Sequence, residues 1–193
     1  MRQRRLEALE NMTSRILRGI AGPVALALAV AGTMAGSATL ARAQESTNRV
    51  AAKTDWSVFV EESPKECWGV SAPKETVNTR DGKPAQVSRG DILLFVTFRP
   101  GKAGEVSFTG GYPFAGGSTV EMDVGGTKYS LFTDGEWAWS GSAEDDARIV
   151  AALKAGTSAI LTARSARGTQ TRDTFSLLGF TAAMDEAARR CAS

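Results

Sequence analysis

The sequence predicts a mainly β fold, an antiparallel β-sandwich with one internal and one C-terminal helix. Short segments in which apolar and polar residues alternate recur along the chain, and glycine-containing turns separate them. Only two stretches have the apolar spacing of a helix, and strands and helices do not alternate as they do in a doubly wound parallel sheet. These observations favour antiparallel strands with helical additions.

The strands are predicted in chain order from short apolar or alternating runs. Residues 44–54 are polar and are assigned to a flexible segment. Residues 72–90, which contain two prolines and an aspartate–glycine pair, are predicted to be mostly loop. Gly125-Gly126 predicts a two-residue hairpin turn. The predicted strands cover residues 56–61, 66–71, 92–98, 106–109, 120–124, 128–133, 137–139, 158–164 and 169–177.

Two helices are predicted. Ser142 suits the N-cap of the first helix, because acidic residues fill the first turn and Gly156 follows the last turn. The second helix follows Gly179, which is expected to make the strand-to-helix turn. A single face of that helix, expected to pack on the sheet, carries Phe180, Met184, Ala187 and Cys191.

The first 43 residues have the pattern of a secretory signal peptide. Five arginines precede an apolar run from Ile20 to Val30, and small residues end the segment at Ala41-Arg42-Ala43. A membrane anchor is the alternative, but a spanning helix needs about 20 predominantly apolar residues. The sequence therefore predicts a cleaved signal peptide over residues 1–43, a flexible mature N-terminus over residues 44–54 and one domain over residues 55–193. No membrane span is expected to remain after cleavage.

The basic charge belongs to the leader rather than to the domain. The whole chain has a net charge of +2, and the leader carries +4 from six arginines and two glutamates, which leaves −2 on the remainder. An acidic remainder argues against nucleic acid as a partner. About 150 residues remain after cleavage, which is enough for one domain with an adequate core.

Cys67 and Cys191 are the only cysteines in the sequence. An even pair in an exported protein predicts a disulfide. The bond would close a loop of more than 100 residues, for which the chain-entropy model gives a stabilisation of about 4–5 kcal/mol. Two buried free thiols are the alternative.

The sequence contains no histidine, and this restricts its chemistry. Ser-His-Asp and Cys-His catalysis are excluded, and the usual zinc and iron ligands are missing. Gly111–Ser118 resembles a phosphate loop only superficially, because glycine stands where the lysine is required. No catalytic residue, metal or cofactor is predicted. The densest carboxylates, which a turn and a helix N-terminus can explain, are Asp134, Glu136, Asp145 and Asp146.

Four aromatic residues are the candidate binding residues. Aromatic rings with a polar edge suit surfaces that bind sugars or peptides. The alternative is that these rings fill the sandwich core, where aromatic side chains are often buried. The four residues are Trp68, Tyr112, Trp137 and Trp139.

The segment Asp173–Met184, with the core Ser-Leu-Leu-Gly-Phe-Thr-Ala-Ala, resembles the C-terminal signature of the invasion-associated locus B family. The order of parts is also similar, from the leader through an early Asp55-Trp56 strand and an early cysteine to a glycine-rich middle. The resemblance spans about residues 55–191. It implies a small exported β-sandwich protein of Gram-negative alphaproteobacteria, and it supplies no catalytic residues.

The sequence thus predicts an exported, non-enzymatic envelope protein in the periplasm or at the cell surface. It is expected to bind an envelope or host protein. The alternative is a carbohydrate-binding module or a weak glycan hydrolase, which requires the tryptophans to be exposed together beside a pair of carboxylates.

Overall fold

The computed structural model describes residues 48–192, so the predicted signal peptide lies outside the described residues. The mainly β class and both predicted helices are confirmed within that range. The strands are β1 (Arg49–Lys53), β2 (Trp56–Glu62), β3 (Lys65–Ser71), β4 (Glu75–Arg80), β5 (Lys83–Pro84), β6 (Leu93–Phe98), β7 (Glu105–Thr109), β8 (Thr119–Val124), β9 (Thr127–Asp134), β10 (Trp137–Trp139), β11 (Ser158–Arg164) and β12 (Gln170–Ser176), and the helices are α1 (Ala143–Ala155) and α2 (Phe180–Cys191).

The strands form one continuous antiparallel sheet in the order β1-β2-β3-β6-β7-β10-β9-β8-β11-β12-β4-β5. The sheet is not closed, since β1 and β5 are its edges. It folds back on itself: the rings of Phe108 on β7 and Phe175 on β12 are 6.1 Å apart, although four strands separate β7 from β12 in the order. The two halves therefore face each other across one core, consistent with the predicted sandwich.

Two predictions about the early part of the chain are wrong. Residues 49–53, assigned to the flexible N-terminal segment, form β1 and pair with β2. Residues 75–80, assigned to a loop, form β4 and pair with β12. All side chains of β1 and β4 are exposed or half-buried. The two strands therefore do not need the alternating apolar residues by which a half-buried strand is recognised in a sequence.

The predicted hairpin at Gly125-Gly126 is confirmed. Val124 on β8 pairs with Thr127 on β9 across the turn. Both glycines have positive φ, 61° and 88°, the conformation that favours glycine in a two-residue hairpin turn.

Helix α1 begins as predicted, and one acidic residue of its first turn is buried against the sheet. The Ser142 hydroxyl accepts a hydrogen bond from the Asp145 amide at 3.1 Å, which confirms the N-cap. Asp146 is buried, and its carboxylate accepts a bond from the Val106 amide at 2.7 Å. Asp146 therefore attaches the helix to β7 rather than only facing the helix dipole. Gly156 has φ −84°, so it ends the helix without the left-handed conformation of a typical glycine cap.

Helix α2 presents the predicted face to the sheet. The side chains of Phe180, Met184, Ala187 and Cys191 are all buried. Gly179 precedes the helix with φ 87°, and a Cβ at this position would overlap the carbonyl oxygen of Lys53. Within residues 48–192, no helix is both long enough and apolar enough to cross a bilayer.

Candidate binding site

Strand β3 directs alternate residues to opposite sides of the sheet. Cys67 and Gly69 face α2, and Cys67 forms a disulfide with Cys191 in which the two Cα atoms are 5.6 Å apart. A Cβ on Gly69 would overlap the Met184 side chain, so glycine lets the helix approach closely. Trp68 lies between these residues and therefore points outward.

The outward side of β3, β6, β7 and β10 forms a shallow cavity of about 390 Å³, called here the aromatic groove. Its floor is Ser107 on β7, which pairs with Phe95 on one side and with Trp139 on the other. Because serine is small and both neighbours are large, Ser107 is nearly covered even though it faces outward. The groove is lined by Glu66, Trp68, Phe95, Thr97, Arg99, Glu105, Ser107, Trp137 and Trp139.

The rings of the groove support one another. The centroid of Trp137 lies 5.7 Å from that of Phe95 and 6.4 Å from that of Trp139. Phe132 on β9 extends the row, 5.6 Å from Trp139. Trp137 is 40% exposed and Phe132 is 50% exposed, which makes them two of the most exposed large apolar residues of the described chain. Contiguous exposed aromatic surface of this kind marks interaction sites more often than single exposed residues do.

One arginine holds both carboxylates of the groove. The Arg99 Nε donates to Glu66 at 2.6 Å, and another nitrogen of the same guanidinium donates to Glu105 at 3.1 Å. The bond to Glu66 raises the pKa of Arg99 above its usual value. Glu66 and Glu105 are therefore engaged with a permanent cation, whereas a glycosidase needs one carboxyl group as proton donor and one as nucleophile or base.

The structure brings together three of the four predicted aromatic residues. Trp68, Trp137 and Trp139 line the aromatic groove, so the prediction of a shared surface is favoured over core packing for these three. The fully buried tryptophan of the core is Trp56, whose indole donates to the Ser176 carbonyl at 3.0 Å.

Tyr112 does not belong to the aromatic groove. Its ring packs against Phe114 at 5.2 Å and under the Arg89 guanidinium at 5.0 Å. Its hydroxyl is 2.5 Å from that of Thr171, and burial raises the pKa of the phenol. Tyr112 is therefore part of a polar region formed by loops, apart from the aromatic groove.

Sequence reasoning missed Phe95, Glu66, Arg99 and Glu105. Phe95 lies in the predicted strand over residues 92–98, and only the neighbouring strands reveal which side of the sheet it faces. The densest carboxylates of the sequence do not line the groove. Asp145, for example, lies at the N-cap of α1. In the described part of the chain, no three Cys, Asp or Glu side chains are arranged to hold a metal ion.

The fold is that of a small antiparallel β domain whose terminal helix is joined to the sheet by a disulfide. The chain belongs to the invasion associated locus B (IalB) family, whose model matches residues 56–188. It is also similar to the crystal structure of invasion associated protein B from Bartonella henselae, with a TM-score of 0.50 and 17% sequence identity over 72% of this chain and 95% of that one. A search of curated proteins finds no match.

Proposed function

We propose that this protein is an exported, non-enzymatic envelope protein of an alphaproteobacterium, and that it binds an envelope or host protein through the aromatic groove. The observation that carries the proposal is the row of exposed and half-buried rings on the outward side of the sheet, in which Trp68 lines the same groove. The ring contacts of the row join Phe95, Trp137, Trp139 and Phe132. Tryptophan and tyrosine dominate the energetics of protein interfaces, where single truncations often cost 2 kcal/mol or more. The charged triad formed by Arg99, Glu66 and Glu105 would lie at the rim of such an interface.

The proposal of a non-enzymatic role rests on the chemistry available at the groove. The sequence contains no histidine, and both glutamates are paired with Arg99. A nucleophile with an adjacent base is the usual requirement of covalent catalysis, and the two carboxylates that could serve as a base in the groove are held by Arg99. Recognition is therefore the activity that this surface supports best.

Export is proposed from the leader, the family and the cysteines together. The pattern of residues 1–43 is that of a signal peptide, and disulfides persist mainly in oxidising compartments. The intact mass of the protein from the periplasmic fraction tests this proposal. A mature chain that begins at Gln44 is expected, and a chain that still contains residues 20–30 would favour an anchor.

Site-specific photo-crosslinking in living cells tests the binding proposal. A photoreactive phenylalanine analogue at Phe132, on the rim of the groove, is expected to give a discrete adduct with one protein. The same analogue at Val77, which is 40% exposed on β4, is the matched control because its exposure is comparable. Trp137→Ala/Trp139→Ala should abolish the adduct at Phe132. Equal labelling at both positions, or labelling that survives the double substitution, would contradict the proposal.

A carbohydrate-binding module is the second candidate, because tryptophan rings flank a floor with the hydroxyl of Ser107. Flat rings beside hydrogen-bonding groups suit the faces of sugar rings. Titration of tryptophan fluorescence with soluble peptidoglycan fragments separates the two candidates. A saturable spectral shift that Trp139→Ala removes, without a protein adduct at Phe132, would favour the sugar.

A further inference from the structure

A second cavity, of about 470 Å³, lies among the loops at one end of the sheet and is lined by three arginines. We propose that this cavity, called here the arginine pocket, binds the phosphate group of a small phosphorylated ligand. The pocket does not overlap the aromatic groove, so the proposal is independent of the binding function proposed above. The lining residues that the argument uses are Arg80, Arg89, Tyr112, Glu136, Arg167 and Thr169.

The floor of the pocket is a rigid buried ion pair. Arg89 and Asp173 make two parallel hydrogen bonds of 2.7 and 2.6 Å, and Asp173 is fully buried. Arg89 also donates to the Gly110 carbonyl at 2.9 Å, and its guanidinium lies over the Tyr112 ring. Asp173 neutralises the charge of Arg89 and fixes its position. The negative charge of a ligand would therefore be balanced by the other two arginines.

Arg80 and Arg167 supply the uncompensated positive charge. Arg80 donates to the Thr169 hydroxyl at 2.8 Å, which holds its guanidinium at the pocket without neutralising it. Among the described residues, neither Arg80 nor Arg167 makes an ion pair, and both are exposed. Glu136 is the carboxylate of the lining, so the two arginines leave a local positive excess. This excess contrasts with the net charge of −2 that the chain has beyond residue 43.

The walls of the pocket are held in place by backbone hydrogen bonds between three loops. Gly90 donates to the Gly111 carbonyl, and Ala166 donates to the Pro113 carbonyl, both at 2.9 Å. A Cβ on Gly111 would overlap the backbone of Gly90, so these loops touch directly. A site held in this way needs little reorganisation on binding, and that lowers the entropic cost of binding a small ligand.

The arrangement favours phosphate over carboxylate. A carboxylate fits one guanidinium in a planar bidentate pair, whereas the tetrahedral oxygens of a phosphate can accept from two guanidiniums that approach from different loops. Arg80 lies at the end of β4, and Arg167 lies in the turn between β11 and β12. The cavity volume is within the range of small-molecule sites, about 300–1,000 Å³, so a phosphorylated sugar or a phospholipid headgroup fits its size.

Calorimetric titration of the purified protein at constant ionic strength tests the proposal with three probes. These are inorganic phosphate, glucose 6-phosphate and phosphatidylglycerol vesicles. Saturable binding of at least one probe is expected, and Arg80→Ala/Arg167→Ala should weaken it by about tenfold or more. Arg148→Ala/Arg189→Ala removes the same charge from exposed helix positions outside the pocket and should leave binding unchanged. Glu136→Gln should tighten binding, because it removes from the lining a negative charge that repels the phosphate group.

The outcomes separate the sources of the phosphate group. Binding of glucose 6-phosphate that depends on the two arginines supports a free phosphorylated ligand, and arginine-dependent binding of the vesicles alone supports a lipid headgroup. Absence of saturable binding to all three probes overturns the proposal. Equal weakening in the Arg148/Arg189 control overturns it as well, because the effect would then be one of net charge. Trp137→Ala/Trp139→Ala should not change phosphate binding, so failure of the groove proposal remains distinguishable.

Discussion

The two sides of β3 and its neighbouring strands differ in what holds their aromatic residues. On the inner side, Phe180 of α2 is fully buried, and its ring centroid lies 4.8 Å from that of Trp56 in an edge-to-face arrangement. On the outer side, Trp137 and Trp139 contact other rings but keep a surface open to solvent. The same strands therefore supply packing on one side and, on the other, the aromatic groove for which we propose a binding role. Rings on the inner side should govern unfolding, and rings on the outer side should govern binding.

Phe180→Ala should have the largest effect on stability. Loss of a fully buried phenylalanine costs about 3–5 kcal/mol, a large part of the 5–15 kcal/mol typical of a whole domain. The free energy of unfolding from urea titration under oxidising conditions measures this cost. Leu178→Ala is the matched control, because Leu178 is two residues away and 62% exposed, so it should change stability little. An unchanged midpoint for Phe180→Ala would place the ring on a recognition surface instead.

Removal of the disulfide should have the next largest effect. Cys67 and Cys191 are 124 residues apart in sequence, and loss of a native disulfide typically costs about 2–5 kcal/mol. Cys67→Ala/Cys191→Ala should lower the urea midpoint, and hydrogen exchange should show α2 loosening before the sheet. Reduced wild type is the control and should match the double variant. Equal midpoints for oxidised and reduced wild type would be the contradictory result.

Trp137→Ala should distinguish the role of the outer side of the sheet from that of the inner side most clearly. Its ring is 40% exposed, and aromatic pairs contribute about 0.5–1.5 kcal/mol beyond buried area. We therefore expect a stability loss of about 1 kcal/mol, well below that of Phe180→Ala, together with loss of the crosslinked adduct at Phe132. Thermal unfolding followed by circular dichroism measures the first effect. A stability loss equal to that of Phe180→Ala would show that the outer rings are structural.

The sequence predicts the parts of this fold that local patterns encode. The apolar face of α2 repeats at helical spacing, and Gly125-Gly126 encodes its own turn, so both could be recognised from residues alone. β4 could not, because Glu75, Thr76 and Val77 are exposed and the strand exists through its pairing with β12. The sequence assigns Asp146 only to the helix N-terminus. Its bond to the Val106 amide could not be predicted, because the two residues are 40 positions apart in sequence.

The candidate site was predictable in composition but not in arrangement. Trp137 and Trp139 share a face because they are two residues apart on one strand, which sequence shows directly. Trp68 joins them and Tyr112 does not. This difference follows from the strand order, in which β7 lies between β6 and β10. The arginine pocket is harder still, because Arg80 and Arg167 are far apart in sequence and meet only where the loops converge.

The ion pair between Asp55 and Lys74 lies at the margin of the inner side. Its removal should have the smallest effect on the free energy of unfolding, and only at low pH. The Lys74 ammonium lies 2.6 Å from the Asp55 carboxylate, just before Trp56 enters the core. The hydrogen bond from Lys74, assisted by one from Ser176, lowers the pKa of Asp55 below its usual value. A carboxyl group whose pKa is lower in the folded state stabilises the fold fully above its unfolded pKa of about 3.9. That stabilisation is lost as the pH falls from there through the folded pKa.

Lys74→Met should therefore reduce the loss of stability that wild type shows as the pH falls below about 5, where such a carboxyl group begins to be protonated. Urea midpoints measured across this range give the slope for each variant. Lys102→Met, an exposed lysine in the turn before β7, controls for the loss of one positive charge and should keep the wild-type slope. If both variants keep the wild-type slope, the pair does not couple protonation of Asp55 to folding. The inner side would then depend on packing and the disulfide, with no contribution from charge at its margin.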